Sequence, residues 1–446
     1  MTSALEYGII YEGERIRKNE MLVELGGTKN INGELCEITK DVKDGQVKVH
    51  GKKLADMKKG STSPVFIHLK VSGKKLKGEF EPVVERRIHE IMNCIHGVMH
   101  IGQRDDVWVR ISTEASDKGL KLEDIGKALI ENIKKEFKPV EKAQVDIHTE
   151  EKKVKELVAK AVKKYEERDA RVKGMKDADV DTFYGCTMCQ SFAPSHACVI
   201  SPNRISLCGA TSWFDAKAAA ELDPHGNNFP VPKGKVIDAE KGEYEGVNKV
   251  IQEKSGGKTK RIFMYSMFGY PHTSCGCFES VAFYIPEVDG IGIVHRKFQG
   301  EAVNGLGFGD MASQTGGGIQ TEGFLGMGLQ WMRSPKFFSA DGGWNRIVYM
   351  PNEIKEKYKD AIPKDIYAKI ATEKDVKNNE ELKEFLKKKA HPVVERWGQV
   401  KDEKQEEKTE SGSPLSVSEA VIPGSGVTLV LKNAKIYAEK MIIKKD

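Results

Sequence analysis

No run of about 18 consecutive apolar residues occurs anywhere in this chain of 446 residues. A membrane-spanning helix is therefore not expected, and no membrane partner either. The opening, MTSALEYGIIYEGERIRK, lacks the basic-then-apolar order of a secretory signal, which leads to the expectation of a cytoplasmic protein. Excess charge of one sign is scarce: 71 basic against 66 acidic residues leave a net +5. So small an excess gives polyanion binding no support, and no nucleic-acid partner is expected. Internal repeats are missing. GLGFGD and GFLGMG do not sit between a strand and a helix with an acidic residue at the distance a dinucleotide site requires. Cysteine is sparse, eight residues in all, but unevenly spread: six of the eight fall between 186 and 277. In a reducing compartment such clustering points to metal rather than to disulfides.

What is present is an ordinary globular composition, 39% hydrophobic and 31% charged, long enough for two or three domains. MLVELGG (21–27), ELCEIT (34–39), QVKVHG (46–51) and PVFIHLKV (64–71) read as strands. Phe80, Val83, Val84, Ile88, Ile91, Met92 and Ile95 recur at helical spacing, with Pro82 early and Gly97 past the end. VWVRIS (107–112) predicts a strand, 122–137 a helix, AQVDIHT (143–149) a strand and 150–170 a strongly charged helix. The expected class is α/β (α+β) multidomain, with an N-terminal α/β domain over 1–175. KGMKDADVD (173–181) reads as a linker. A mixed α+β domain is expected over 182–395, with strands at KRIFMYSM, SVAFYIPEV, GIGIVHRKF and RIVYM and helices from 353 to 391. Twelve glycines lie within 300–345, either to bring backbone close to a ligand or to make tight turns in a core. Residues 396–414 read as a flexible charged linker and 415–446 as a C-terminal β segment.

The cysteines themselves carry the chemistry. The first group is Cys186-x2-Cys189-x8-Cys198-x9-Cys208. Four thiolates suit a [4Fe–4S] cluster or a tetrahedral zinc, and this group alone does not choose between them. The second group, Cys275-Gly276-Cys277, is stranger. One residue is too short a spacer for a relaxed disulfide or for the usual zinc pair. The amide nitrogens of Gly276 and Cys277 lie between the two sulfurs. If both lose their protons, two sulfurs and two nitrogens can lie in one plane around a metal. That tetragonal N,S set favours a d⁸ ion such as Ni(II), and glycine leaves both faces clear. The plainer alternative is a pair of buried cysteines at a turn.

At this point the sequence resembles a known family. The spacing above, followed after 66 residues by CGC, is similar to the metal-binding segment of the acetyl-CoA synthase family, as are FYGCTMCQSFAPSHAC and YPHTSCGCFE. YEGERIRKNEMLVELGG and EFEPVVERRIHEIMNCIHGVMHIGQRDDVWVRIS are similar to the family's middle domain. The match is to the shorter, archaeal form of the family, the β subunits of the acetyl-CoA decarbonylase/synthase complex. The resemblance implies that Cys186, Cys189, Cys198 and Cys208 hold a [4Fe–4S] cluster. It implies two nickel ions: a proximal one bridged by Cys189, Cys275 and Cys277, and a distal one bound by Cys275, Cys277 and the Gly276 and Cys277 amides. Phe192 matches an aromatic residue that shapes the CO pocket. The implied reaction joins a methyl group, CO and coenzyme A, reversibly. The implied partners are a corrinoid iron–sulfur protein as methyl donor and a CO dehydrogenase subunit.

Weaker signals remain. His196 and His272 flank the ligand cysteines and suit either donation to a sulfur or packing. Cys36 and Cys94 read as structural. Trp331, Arg333 and Trp344 suit aromatic packing or a partner face. Arg86, Arg87 and Arg104 are candidates for the phosphates of coenzyme A, although solvated helix faces explain the first two equally well. Two other classes compete: an iron–sulfur electron-transfer protein, which would hold iron without nickel, and a zinc-stabilised binding module, which would be colourless.

Overall fold

A computed structural model describes residues 16–104 and 106–397. The expected tether beyond Trp397 and the expected C-terminal β segment lie outside these residues. Two four-stranded sheets build the N-terminal part. Its elements are β1 Met21–Gly26, β2 Asn32–Ile38, β3 Val47–His50, β4 Ser61–Ser63, β5 Val65–Ser72, α1 Glu81–Asn93, β6 Val98–Gln103, β7 Asp106–Ser112, α2 Thr113–Asp117, α3 Leu122–Glu136, β8 Lys142–His148 and α4 Glu151–Ala170. Strand order is β4-β1-β7-β6 in one sheet and β2-β5-β8-β3 in the other. Alternating apolar residues make these strands two-faced. Their inner faces share one core with α1 and α3, including Val23, Leu69, Val84, Ile88, Val109 and Leu129. On the outer face of the second sheet, Leu35 and Phe66 pack against Val154, Ala161 and Tyr165 of α4.

Helix α1 departs from the usual surface helix. Pro82 fits its first turn, where the missing N–H costs nothing. Gly97, at φ +72°, turns the chain back into β6, and a Cβ there would meet Ser112 Oγ and Ala115 Cβ at 2.4 Å. Yet α1 is buried nearly all round: Glu81, Glu85, Arg86, His89, Glu90 and Asn93 are enclosed along with its apolar stripe. A helix enclosed on its polar side must find partners for those groups.

The second part continues with β9 Thr182–Cys186, β10 Cys198–Ile200, α5 Trp213–Leu222, β11 Asn228–Pro232, β12 Val236–Asp238, β13 Glu243–Tyr244, α6 Glu245–Lys254, β14 Ser280–Ile285, β15 Gly290–His295, α7 Phe308–Thr315, β16 Phe324–Met327 and β17 Ile347–Tyr349. It closes on four short helices, α8 Asn352–Lys357, α9 Lys364–Tyr367, α10 Asn379–Lys388 and α11 Val393–Arg396. The sheets run β10-β9-β11, β12-β13 and β16-β14-β15-β17. The expected mixed class holds, since helices and strands alternate through several sheets. No helix among the described residues is long and apolar enough to cross a membrane.

Two local expectations differ from the structure. KRIFMYSM forms no strand beyond a single bridge at Phe263. Its backbone is served instead by loops and side chains: Met264 N–H donates to Gly242 O, and Met267 N–H to an Asp341 carboxylate oxygen at 2.8 Å. The polar segment 173–181 is pinned rather than free. Asp177 is buried, accepts from Asn203 N–H at 2.8 Å and Ser201 Oγ at 2.9 Å, and also accepts from Tyr265.

Candidate metal centre

Cys186 ends β9 and pairs across the ladder with Cys198 at the start of β10. Between them a tight turn over Met188–Ser191 reverses the chain, closed by Phe192 N–H and Ala193 N–H donating to Cys189 O at 3.0 Å each. Met188, inside this turn, packs into the core of the N-terminal part. The turn is thereby rooted in the core of the N-terminal part. Cys208 lies in a second turn, with Ser206 Oγ at 3.3 Å from its sulfur.

The CGC segment comes from far along the chain and meets the first group. The Sγ atoms of Cys189, Cys275 and Cys277 all lie within 4.8 Å of one another. None of the eight cysteines is in a disulfide. Gly276 sits at φ +110° with nothing within 4 Å of where a Cβ would stand. Glycine is required there for its backbone conformation, not for space. In that conformation the Cys277 amide nitrogen faces Cys275 Sγ at 3.3 Å. The glycine-rich segment lies along this loop: Gly317 N–H donates to Cys275 O at 3.3 Å and Gly318 N–H to Ser274 O at 2.8 Å. A Cβ on Gly318 would meet Ser195 Oγ at 2.6 Å. These glycines therefore serve close packing of backbone on both cysteine segments.

Side chains of α1 complete the surround. Arg86 is only 3% exposed. Its Nη1 donates to Gly102 O at 3.0 Å, and its Nη2 points at Cys189 Sγ at 3.6 Å. Burial opposes its charge, but Glu90 and the sulfurs of Cys189, Cys208 and Cys277 outweigh burial and hold its pKa above the usual range. One turn on, His89 Nε2 lies 3.5 Å from Cys277 Sγ. Asn93 accepts from His100 N–H at 2.8 Å, which fixes its amide, and its Nδ2 donates to His100 O at 2.8 Å and His89 O at 2.9 Å, holding the end of α1 against β6. Burial, with Arg86 nearby, drops the His89 pKa to about 4, so the ring is neutral near pH 7. Phe192 stacks obliquely on His89, ring centres 5.4 Å apart. The i, i+3, i+4 spacing of Arg86, His89 and Glu90 puts all three on one helix face, a signal the sequence carries but does not distinguish from a solvated face.

Other candidates go elsewhere. His196 Nδ1 meets Thr273 Oγ1 at 3.0 Å, and His272 Nε2 accepts from Val199 N–H at 3.0 Å. Both join the two cysteine segments without touching a sulfur in a hydrogen bond. Arg87 pairs with Glu136 and Arg104 with Asp169. Trp331 packs on Phe338 and under the Arg204 guanidinium, Trp344 packs on Phe337, and Arg333 pairs with Asp360. Cys36 is buried on β2, and Cys94 caps α1.

The donor set fits a cation. Burial pushes the Cys198 thiol up to about 12 and raises that of Cys186 as well. Thiols so enclosed become thiolates only against a positive charge, and a coordinated metal supplies it outright. Hydrogen bonds from Cys189 and Cys275 hold the Cys277 thiol well below its usual value. Three close sulfurs suit a soft metal.

The class this defines is a thiolate-lined metal protein whose centre draws on two distant stretches of chain. Residues 4–154 match the family described as the CO dehydrogenase/acetyl-CoA synthase complex beta subunit, and residues 165–397 match the family described as the C-terminal part of the ACS/CODH beta subunit. The chain is 48% identical to the acetyl-CoA decarbonylase/synthase complex subunit beta of Methanothermobacter thermautotrophicus, covering 98% of this chain and 97% of that one. It is 48% identical to the subunit beta of Methanopyrus kandleri over 98% and 96%, and 51% identical to a subunit beta 2 of Methanosarcina thermophila over 88% and 84%. The chain belongs to the CO dehydrogenase/acetyl-CoA synthase complex beta subunit family.

Proposed function

We propose that this protein is an acyltransferase that makes and cleaves acetyl-CoA, joining a methyl group, CO and coenzyme A at a nickel–iron–sulfur centre. One observation carries the reading: Cys189, Cys275 and Cys277 converge within 4.8 Å, with a backbone nitrogen turned to the same point, in a chain of this family. Cys186, Cys189, Cys198 and Cys208 would hold the [4Fe–4S] cluster. Cys189, Cys275 and Cys277 would hold the proximal nickel, and Cys275, Cys277 and the amides of Gly276 and Cys277 the distal one. When bound, the group supplies a soft metal site for carbon–carbon bond formation between methyl and CO and transfer to a thiol.

The chain's own residues orient and shelter that site. Arg86 directs an N–H at the Cys189 sulfur, which draws charge from it and fixes its direction, and the His89 ring stands against the Cys277 sulfur. Phe192, backed by His89, forms an apolar wall that would narrow the CO pocket. The enclosed face of α1 keeps water from the sulfurs. With a division into parts at 1–175 and 182–395, this helix would belong to the first and the ligands to the second. A corrinoid iron–sulfur protein would deliver the methyl group, a CO dehydrogenase subunit would supply CO, and the setting would be the cytoplasm.

Metal analysis of anaerobically purified protein, with a methyl, CO and coenzyme A assay on the same sample, tests this. About four iron and about two nickel per chain are expected. Iron without nickel would instead mark an electron-transfer protein.

A further inference from the structure

Arg296 follows β15 directly, and its N–H donates to Glu279 O at 3.0 Å. Its side chain turns back on the metal loop. One terminal nitrogen, Nη2, donates to Gly276 O at 2.7 Å and to Phe278 O at 3.2 Å, so it spans Cys277. The guanidinium lies over the Phe308 ring, 5.0 Å from its centre. Its Nε is buried without a hydrogen-bond partner, and no carboxylate among the described residues forms an ion pair with it. A partly enclosed cation without an anion is costly unless something else supplies the negative charge.

The Gly276–Cys277 peptide is positioned to supply it. A trans peptide is planar, with oxygen and nitrogen substituents opposed, so clamping the oxygen fixes where the nitrogen points. Here the clamp leaves Cys277 N at 3.3 Å from Cys275 Sγ. The same resonance spreads charge. A peptide bound to metal through nitrogen has released its N–H proton to solvent, and its negative charge is shared with the carbonyl oxygen. Arg296 donates to the oxygen of that peptide, and a charge-assisted bond of this kind is among the stronger ones.

We propose that Arg296 is the positioning residue of the distal nickel: it clamps the Gly276 and Phe278 carbonyls, aims the Cys277 nitrogen at the metal and supplies the counter-charge that lets this nitrogen bind as an anion. The inference rests on the nickel reading above.

The test compares Arg296→Met, Arg296→Gln and Arg296→Lys with the parent protein, purified anaerobically and loaded with Ni(II). Nickel and iron are measured separately through a titration with EDTA, and far-ultraviolet circular dichroism checks folding. Arg296→Met is expected to lose its more tightly held nickel at about tenfold lower EDTA, within the usual range for a lost supporting contact, while iron stays. Arg296→Lys should keep more nickel than Arg296→Gln, because charge matters beyond hydrogen bonding. Parental nickel retention in Arg296→Met would overturn the proposal, and so would Arg296→Gln matching Arg296→Lys. Gly276→Pro separates the two layers. If it keeps parental nickel, backbone ligation itself fails. If it loses nickel while Arg296→Met does not, only the role of Arg296 fails. A variant that does not fold is replaced by Phe308→Leu, which removes the ring under the guanidinium and should weaken nickel retention in the same direction.

Discussion

Cys189 occupies the one position where the two cysteine groups meet. Its backbone closes the turn that carries Phe192, and its sulfur stands with those of Cys275 and Cys277. Cys189→Ser should therefore abolish acetyl-CoA synthesis outright, and near-normal synthesis in a folded Cys189→Ser protein would refute the shared position. Gly276→Pro removes the amide proton of residue 276 and replaces the nitrogen by one that cannot become an anionic ligand. It also forbids φ +110°. The expected outcome is loss of nickel with retained iron, read by elemental analysis. Phe192→Ala should leave both metals in place and change inhibition by CO, because its ring backs on His89 rather than reaching a sulfur. An unchanged CO dependence would exclude a pocket role.

At the scale of elements, most of the architecture was legible. The two-residue period of β2, β5 and β8 and the apolar stripe of α1 and α3 are strong local signals. The meeting of Cys189 with Cys275 and Cys277 was legible because their spacing is itself a chemical signal. The polar face of α1 was not. Arg86, His89 and Glu90 carry the pattern of a wet face, and only tertiary packing shows that this face is covered by the cysteine segments. KRIFMYSM failed in the opposite way, since its apolar content serves a core while its backbone bonds go to loops. A pH effect belongs at this scale too. On β2, Glu37 accepts from His68 at 3.0 Å and from Lys160 of α4 at 2.9 Å. These partners, His68 first, lower its pKa from 4.5 to about 2. A carboxylate with a depressed folded pKa adds stability above its unfolded pKa, and that stability fades as pH falls from about 4.5 to about 2. Glu37→Gln should cost about 1 kcal/mol at pH 7, reduced from the full shift by solvent screening. The gap between parent and variant urea midpoints should narrow steadily below pH 4.5. A gap that does not change with pH would show that the pairing does not hold Glu37 ionised.

At the scale of the whole molecule, the N-terminal part packs directly against the clustered cysteines. Met188 sits in the N-terminal core, and α1 provides the groups that face two of the three clustered sulfurs. Folding of residues 16–170 and assembly of the metal site are thus linked through shared packing. The central claim is that nickel here is held by sulfur and backbone nitrogen together. Nickel X-ray absorption on the anaerobically purified full chain tests it most directly. The expected result is a planar nickel with mixed sulfur and nitrogen ligands, lost in Gly276→Pro. A nickel surrounded only by oxygen or nitrogen donors, or a protein that binds iron and excludes nickel, would contradict it.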